Sequence, residues 1–131
     1  MKVSFSLSST DYRCKLGFTL YHGSKQIYHT EHVDKQIPIS FEIDADAGET
    51  QLQFVMKNKT HADKNACLEI TNFMFDYIAL EHTFLEHCVY HHDFNGSREL
   101  IEDSFWGNMG CNGTVVFNYT TPVHLWLVNN M

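Results

Sequence analysis

Long apolar runs are missing from this sequence of 131 residues. Residues 1–15 alternate polar with apolar side chains, so they hold no uninterrupted apolar stretch of roughly 7–15 residues such as a secretory signal contains. Elsewhere no apolar run approaches the roughly 20 residues that a membrane-spanning helix needs. We therefore expect a chain that is made in a cytoplasm and has no membrane as a partner.

Basic side chains are also scarce, because 9 Lys and Arg stand against 16 Asp and Glu and give a formal charge of −7 with His neutral. Proteins that bind nucleic acids concentrate Lys and Arg on one face, where these side chains neutralise phosphates. The net negative charge of this chain repels nucleic acids, which are polyanions. The composition therefore argues against DNA or RNA as a partner.

Motifs of catalysis and of redox chemistry are absent as well. The four cysteines include no C-x-x-C pair, which argues against a zinc knuckle or a redox site. The sequence has no G-x-S-x-G motif and no phosphate-binding glycine loop. We expect a protein that is not an enzyme and whose cysteines are thiols. A polysaccharide lyase or hydrolase stays open as an alternative.

Histidine, in contrast, is abundant, with nine residues in the chain and the densest group between positions 86 and 93. If this segment is a strand, His87 and His91 share a face and their Cα atoms lie roughly 13 Å apart. That spacing is too wide for two ligands of one zinc ion. We therefore interpret residues 87–92 as a solvated or pH-sensitive segment, and metal binding there is the alternative.

Apolar residues alternate with polar ones along most of the chain, which is the period of a half-buried strand. A change of parity between Ile70 and Phe73 predicts a β-bulge or a bend. Short strands at this spacing predict an all-β fold, an antiparallel β-sandwich that forms a single domain over residues 1–131. The alternation predicts strands over 3–7, 16–20, 26–29, 38–43, 51–56, 86–93 and 112–119, and strand-like sequence over 67–85.

A short α-helix is predicted at the end of the chain. Thr121 and Pro122 are typical of an N-cap and a first helical position, and the apolar residues after them fit one face of a helix over residues 121–131. A helix this short must dock on the sandwich or on a neighbouring subunit. Glu81 and Glu86, each followed by a histidine, lie in an aromatic, β-branched setting that argues against a second helix.

Large aromatic residues are the candidate contacts with a partner. Trp106 stands beside Gly107 in a segment of loop character, where an exposed indole stacks on a sugar ring or docks on a protein. The alternative is that Trp106 is buried and closes one end of the sandwich. We predict that Phe94, Trp106 and Trp126 bind a partner, because aromatic anchors dominate the energetics of interfaces.

Residues 54–58 and 63–70 resemble a stretch of small calcium-dependent xylan-binding modules, in which an Asp-x-Asn sequence follows a loop and precedes an alternating strand. The resemblance implies a jelly-roll topology. It also implies that Asp63, Asn58 and Asn65 are calcium ligands, since calcium prefers hard oxygen ligands; no other cofactor is expected. On this basis the chain is a carbohydrate-binding module that recognises a host surface glycan, with or without calcium.

A second resemblance rests on Trp106-Gly107, on residues 112–114 and on residues 121–127. These segments resemble an uncharacterised family of proteins from tailed phages, cyanobacterial phages especially. The resemblance implies a phage-encoded protein that is made in the host cytoplasm and built into the virion. Our main prediction is accordingly a non-enzymatic structural module, for capsid decoration, baseplate or fibre, that binds other virion proteins or further copies of itself. The carbohydrate-binding module is the alternative.

Overall fold

Two antiparallel sheets pack face to face in the computed structural model, which describes residues 1–43, 49–60, 66–120 and 123–130. The described elements are β1 (Lys2–Ser9), β2 (Gly17–His22), β3 (Lys25–Thr30), β4 (Ile37–Glu42), β5 (Glu49–Lys57), β6 (Leu68–Phe75), β7 (Ile78–Ala79), α1 (Glu81–His87), β8 (Cys88–His92), β9 (Ile101–Ser104), β10 (Asn108–Met109), β11 (Gly113–Thr120) and α2 (Val123–Asn130). The first sheet has the strand order β10-β6-β1-β4, with β7 paired to β6, and the second has the order β3-β2-β5-β11-β8-β9. The predicted antiparallel β-sandwich with a short C-terminal helix is confirmed.

Alternation places every second residue of the central strands in the core between the sheets. In β1, Val3, Phe5 and Leu7 are buried, while the serines between them are half-buried on the outer face. Burying a side chain of this size contributes about 1.5–3 kcal/mol relative to leaving it exposed, so the apolar core is the main source of stability. The rings at its centre, which contact one another edge to face or stacked, belong to Phe5, Phe54, Phe73, Phe84 and Phe117.

The strand β6 carries the β-bulge that the change of parity predicts. Between the pairs Ser4–Met74 and Ser6–Thr71, β6 has one residue more than β1. Asn72 lies in this stretch with a φ of +57°, a left-handed conformation that asparagine adopts more readily than most residues. The predicted bulge is confirmed, and it lets residues on both sides of it face the core.

The helix α1 shows that the prediction of a non-helical segment around Glu81 and Glu86 is wrong. The usual start signal is missing, because the N-cap residue Leu80 has no side-chain group that accepts a hydrogen bond from the helix. The amide of Phe84 donates to the carbonyl of Leu80 at 2.7 Å, and both side chains are buried. Burial of two side chains four positions apart thus stabilises a helix that is too short to form by itself.

The helix α2 lies on the sandwich of its own chain. Trp126 and Leu127 are buried, and the Trp126 ring centroid lies 5.6 Å from that of Phe117. His87 joins the two helices, since its Nε2 lies 3.2 Å from Asn130 Oδ1. The two residues predicted to cap α2 are outside the described residues. Neither described helix is long and apolar enough to cross a membrane.

The four cysteines, Cys14, Cys67, Cys88 and Cys111, are present as thiols, as predicted. Cys88 is buried in the core, and the other three are half-buried. Burial raises the pKa of the Cys88 thiol, so this sulfur stays protonated and unreactive. At this position the cysteine acts as a small apolar side chain of the core.

Gly113 begins β11 at a point where that strand lies against β8. A Cβ atom here would overlap the carbonyl oxygen of His91 and lie 3.0 Å from the Cβ of His92. We expect Gly113→Ala to lower the free energy of unfolding by about 1–3 kcal/mol, because the strands must move apart to accept a methyl group. Gly110→Ala is the control, since its Cβ would lie 3.7 Å from the Cys67 sulfur, an ordinary contact. Urea unfolding measures both, and equal losses would contradict the expectation.

Candidate functional site

Trp106 is the most exposed of the three predicted contact residues, with 79% of its surface accessible. Phe105, the residue before it, is buried and lies against Phe84 and Tyr90, with ring centroids 6.1 and 6.2 Å away. Successive side chains of an extended chain point in opposite directions, so the burial of Phe105 turns Trp106 outward. The alternative in which a buried Trp106 closes one end of the sandwich is therefore wrong.

Gly107 lets the chain turn back onto the first sheet directly after Trp106. Its φ is +98°, a conformation that residues with a Cβ atom rarely adopt. The amide of Ile70 in β6 donates to the Gly107 carbonyl at 2.9 Å, next to the pair that Asn108 forms with Glu69. These contacts fix the backbone on which the exposed indole is carried.

A cleft of about 100 Å³, called the Trp106 cleft below, opens beside the indole between β6, α1 and residues 106–108. Its polar rim carries the exposed side chains of Thr71, Asn72 and Asn108. The β-bulge in β6 sets the direction of Asn72, because a bulge re-aims the side chains around it. The apolar lining consists of Ile70, Phe73, Phe84 and Leu85.

The chemistry of the Trp106 cleft suits an uncharged ligand that is rich in hydroxyl groups. The described residues that line it carry amide, hydroxyl, aromatic and aliphatic groups and no ionisable side chain. An indole face covers the apolar C–H groups of a ring, while two amides and a hydroxyl both donate and accept hydrogen bonds. An ion would find no opposite charge among these residues.

Asn58, one of the three predicted calcium ligands, ends a line of hydrogen bonds along the edge of the second sheet. Its Nδ2 donates to Glu31 Oε2 at 3.0 Å, and Glu31 Oε1 lies 2.7 Å from His29 Nε2. Both hydrogen bonds lower the pKa of the Glu31 carboxyl group, and the bond to His29 has the larger effect. Asp63 and Asn65 lie outside the described residues, so the calcium site stays a prediction. In the described part of the chain, no three His, Cys, Asp or Glu side chains are grouped to hold a metal ion.

Thr19, His29 and Glu31 form a line of hydroxyl, imidazole and carboxylate groups similar to that of some nucleophilic enzymes. The Thr19 hydroxyl lies 2.8 Å from His29 Nδ1. Thr19 is buried, however, so a substrate has no access to its hydroxyl. We interpret the line as structural, because it joins the paired strands β2 and β3 through their side chains.

Phe94 lies half-buried in the turn after β8, with a φ of +54°. The chain itself covers its ring, since the Arg98 guanidinium carbon lies 4.8 Å from the ring centroid and the His92 ring centroid lies 4.7 Å away. Phe94 is not among the residues that line the Trp106 cleft. Its role as a partner contact stays a prediction.

Trp126 is only 8% exposed, in contrast to Trp106. Its ring centroid lies 5.1 Å from that of His87 and 6.5 Å from that of Tyr119, so the indole packs between α1 and β11. Partner binding by Trp126 stays a prediction, and the structure places the residue in the core.

The histidines of residues 87–92 lie in three different environments. His87 ends α1, whereas His91 and His92 belong to β8, so the expected placement of His87 and His91 on one strand is wrong. His92 is buried with its Nε2 3.4 Å from Asp103 Oδ2, while His91 is half-buried. The segment is therefore neither a continuous strand nor a uniformly solvated one.

Comparison with known proteins adds information on the fold. The sequence matches no protein-family profile and no curated protein. The structure is similar to a solved structure described as "vCBM60 in complex with galactobiose", with a TM-score of 0.57 and 7% sequence identity over 90% of this chain and 99% of that chain. The two proteins share a fold. That structure is of a carbohydrate-binding module (CBM), and what the two proteins share is the β-sandwich fold.

Three polar residues of the Trp106 cleft, Thr71, Asn72 and Asn108, were not singled out by the sequence. For Thr71 and Asn72 the sequence does hold a signal, the change of parity in β6. Two adjacent polar residues in an alternating strand mark a bulge, which re-aims the side chains around it. Asn108 offers no such signal. It reaches the cleft only through the pairing of β10 with β6, which joins segments about 40 positions apart in the chain.

Proposed function

We propose that this chain is a non-enzymatic carbohydrate-binding module that binds a neutral glycan through the Trp106 cleft. The observation that carries the proposal is an indole that is 79% exposed beside a cleft rimmed by Thr71, Asn72 and Asn108. The fold shared with a module whose structure contains galactobiose supports it. Galactobiose is therefore the first probe, and the preferred glycan is to be found with a panel.

Contact energies favour the indole as the main anchor. A pyranose ring that covers about 60 Å² of the exposed Trp106 face contributes about 1.5 kcal/mol, at about 25 cal/mol per Å² of apolar surface buried. The cleft beside it has room for about three water molecules, at about 30 Å³ each. Such a space admits a ring substituent such as a hydroxymethyl group. We propose that the ring itself lies on Trp106 and that Asn72 and Asn108 bond its hydroxyls.

Trp106→Ala is expected to weaken galactobiose binding at the Trp106 cleft at least about tenfold, because the stacking surface is lost. Trp106→Phe should retain part of the affinity, since a smaller aromatic face remains. Calorimetric or NMR titration measures both. Unchanged affinity in Trp106→Ala, in a protein with wild-type stability, would place the glycan site elsewhere on the chain.

Fluorescence offers an independent readout because the chain has only two tryptophans. Trp126 is buried, so an aqueous quencher acts mainly on Trp106. A glycan that covers the Trp106 indole should reduce quenching without any change at Trp126. Protection that persists after chelation of divalent ions would support a site that does not depend on calcium.

Calcium dependence is a separate part of the proposal. The resemblance to xylan-binding modules assigns Asn58, Asp63 and Asn65 as ligands. Of these, Asn58 lies in the described part of the chain, and it does not line the Trp106 cleft. The titration is therefore repeated with calcium and with a chelator. Binding that needs calcium and is lost in Asp63→Ala, but not in Trp106→Ala, would favour the segment 58–65 as the glycan site.

A structural role in a phage particle is the second candidate function. One observation favours it: α2 exposes Leu125 and Val128, which are apolar and 63% and 78% accessible. Such side chains suit contact with another virion protein or with a second copy of the chain. Quantitative mass spectrometry of purified particles tests this role, because a decoration protein is present in copy numbers comparable with the capsid protein. Absence from the particle would exclude it.

A further inference from the structure

A second polar groove lies on the second sheet and shares no lining residue with the Trp106 cleft. It consists of two adjoining clefts of about 350 and 260 Å³, and Thr50 and Asn118 line both. The first cleft is completed by His22, Gly23 and Gln51, and the second by Tyr119, Thr120 and Trp126.

A ladder of three side-chain amides runs into this groove: Gln51 and Asn118 line it, and Gln53 extends the ladder beyond it. Gln53 Nε2 donates to Gln51 Oε1, and Gln51 Nε2 donates to Asn118 Oδ1 at 3.0 Å. Gln51 in β5 and Asn118 in β11 are paired directly across the sheet. The adjacent pair, Leu52 and Phe117, is buried and faces the core, so Gln51 and Asn118 face outward. The three amides therefore project from the outer face of the sheet in a fixed order. They present a carbonyl oxygen at the Gln53 end and an amide donor at the Asn118 end.

The fixed amides are already oriented for binding. Orienting a free glutamine or asparagine on binding costs conformational entropy, and the ladder has met that cost in the unbound protein. A ligand with paired hydroxyl groups, each able to donate and accept, matches an acceptor and a donor placed along one line. This property distinguishes the ladder from isolated amides on an exposed strand.

The groove is uncharged at neutral pH along its described lining. Burial, followed by the charge of Lys25, lowers the pKa of His22, whose Nε2 lies 3.0 Å from the Tyr119 hydroxyl. Burial likewise raises the pKa of Tyr119, so the phenol stays protonated. The remaining lining groups are hydroxyl, amide, glycine and indole. A neutral ligand is therefore favoured over an anion or a cation.

We infer that this groove is a second carbohydrate-binding site, for a neutral oligosaccharide that lies along the amide ladder. The inference rests on the proposed function in its ligand class, but it concerns different residues. A chain with two such sites binds two segments of one polysaccharide, or joins two polysaccharides, and gains avidity from the second contact. The Trp106 cleft stacks one ring, whereas the amide ladder bonds hydroxyls of a longer segment.

Titration of the intact chain with a galactose oligosaccharide of four to six units tests the inference. We expect two binding sites per chain by calorimetry, and one in Trp106→Ala. The double variant Gln51→Ala/Asn118→Ala should also retain one site, with perturbation of NMR signals restricted to the Trp106 cleft. Thr114→Ala is the matched control, because Thr114 lies in β11 four residues before Asn118 and does not line the groove.

The outcomes separate the two proposals. Complete loss of binding in Trp106→Ala, with an unaffected double variant, would overturn the second site and support the Trp106 cleft. Complete loss in the double variant, with an unaffected Trp106→Ala, would support the groove and overturn the Trp106 cleft. A wild-type chain that binds no member of a glycan panel would overturn both. Thermal unfolding of each variant shows whether a loss of binding is a loss of folding.

Discussion

Replacing Trp126 with alanine is expected to lower the free energy of unfolding by about 3–5 kcal/mol, whereas Trp106→Ala is expected to change it by less than about 0.5 kcal/mol. The two tryptophans differ in burial, not in chemistry. Trp126 is 8% exposed and contacts the rings of His87, Phe117 and Tyr119, while Trp106 is 79% exposed. Truncation of Trp126 leaves a cavity in the core, whereas the space left by truncation of Trp106 is filled by solvent.

The expected loss at Trp126 includes the attachment of α2. Asn130 Nδ2 donates to the Trp126 carbonyl at 2.7 Å, and Asn130 Oδ1 contacts His87 at the end of α1. If the Trp126 indole is removed, the helix loses its main apolar contact with β11, and these hydrogen bonds lose the geometry that the packed helix gives them. A helix of eight residues is not stable without tertiary contacts.

Leu125→Ala provides the control for the Trp126 experiment, because Leu125 lies on the same helix with its side chain exposed to solvent. Alanine has a helix propensity at least as high as that of leucine, so we expect only a small change in the free energy of unfolding. Guanidinium unfolding of Leu125→Ala, Trp126→Ala and Trp106→Ala measures the three values. A loss below about 1 kcal/mol at Trp126 would contradict its place in the core and would strengthen the prediction that it contacts a partner.

The longer strands could be predicted because alternation is a local property. Val3, Phe5 and Leu7 face the core, and the parity change before Phe73 is the bulge. A period of two has one physical cause, the opposite direction of successive side chains, so few residues suffice to detect it. Pairing of distant strands has no comparable local signal, and the rim of the Trp106 cleft depends on such a pairing.

The helix α1 could not be predicted by the same method. It makes only two turns and contributes Leu80 and Phe84 to the core, which is too few apolar positions to define a period of 3.6. It also lacks a capping side chain, the signal that reveals many short helices. What forms this helix is the docking of Phe84 on the core, and that contact is absent from the local sequence.

The exposure of Trp106 shows a similar limit. Phe105 and Trp106 are adjacent large aromatics at the end of a strand, and only one of two successive side chains faces the core. The sequence is equally compatible with a buried Phe105 and with a buried Trp106. The packing of Phe105 against Phe84 decides between them, and Phe84 belongs to the unpredicted helix. The candidate site thus depends on an element that the sequence does not reveal.

Replacing Phe73 with alanine is expected to cost about 3–5 kcal/mol of unfolding free energy, comparable with the loss at Trp126. Phe73 is the first core residue after the bulge, and its ring stacks on Phe84 with centroids 4.0 Å apart. It also contacts Phe75 and Phe117 edge to face, at 5.4 and 5.5 Å. Aromatic pairs of this kind contribute about 0.5–1.5 kcal/mol each beyond the burial of their area.

Tyr77→Ala is the matched control for Phe73→Ala, since Tyr77 follows the same strand and is 96% exposed. It should leave the unfolding midpoint within error of the wild type. Phe73→Leu keeps most of the volume and should cost less than Phe73→Ala, because the cavity is smaller. Equal losses in Phe73→Ala and Tyr77→Ala would contradict the stacked core.

Phe73 and Phe84 line the Trp106 cleft as well as the core, so stability and binding are coupled at this point. Phe73→Leu separates them, because it removes the aromatic stack beneath the cleft and is expected to leave the chain folded at room temperature, since leucine keeps most of the volume. If the cleft is the glycan site, galactobiose affinity should fall in Phe73→Leu while the tryptophan environment of Trp126 stays unchanged. An unchanged affinity would mean that ligand contacts are confined to Trp106 and the polar rim, because those groups do not depend on the shape of the aromatic floor.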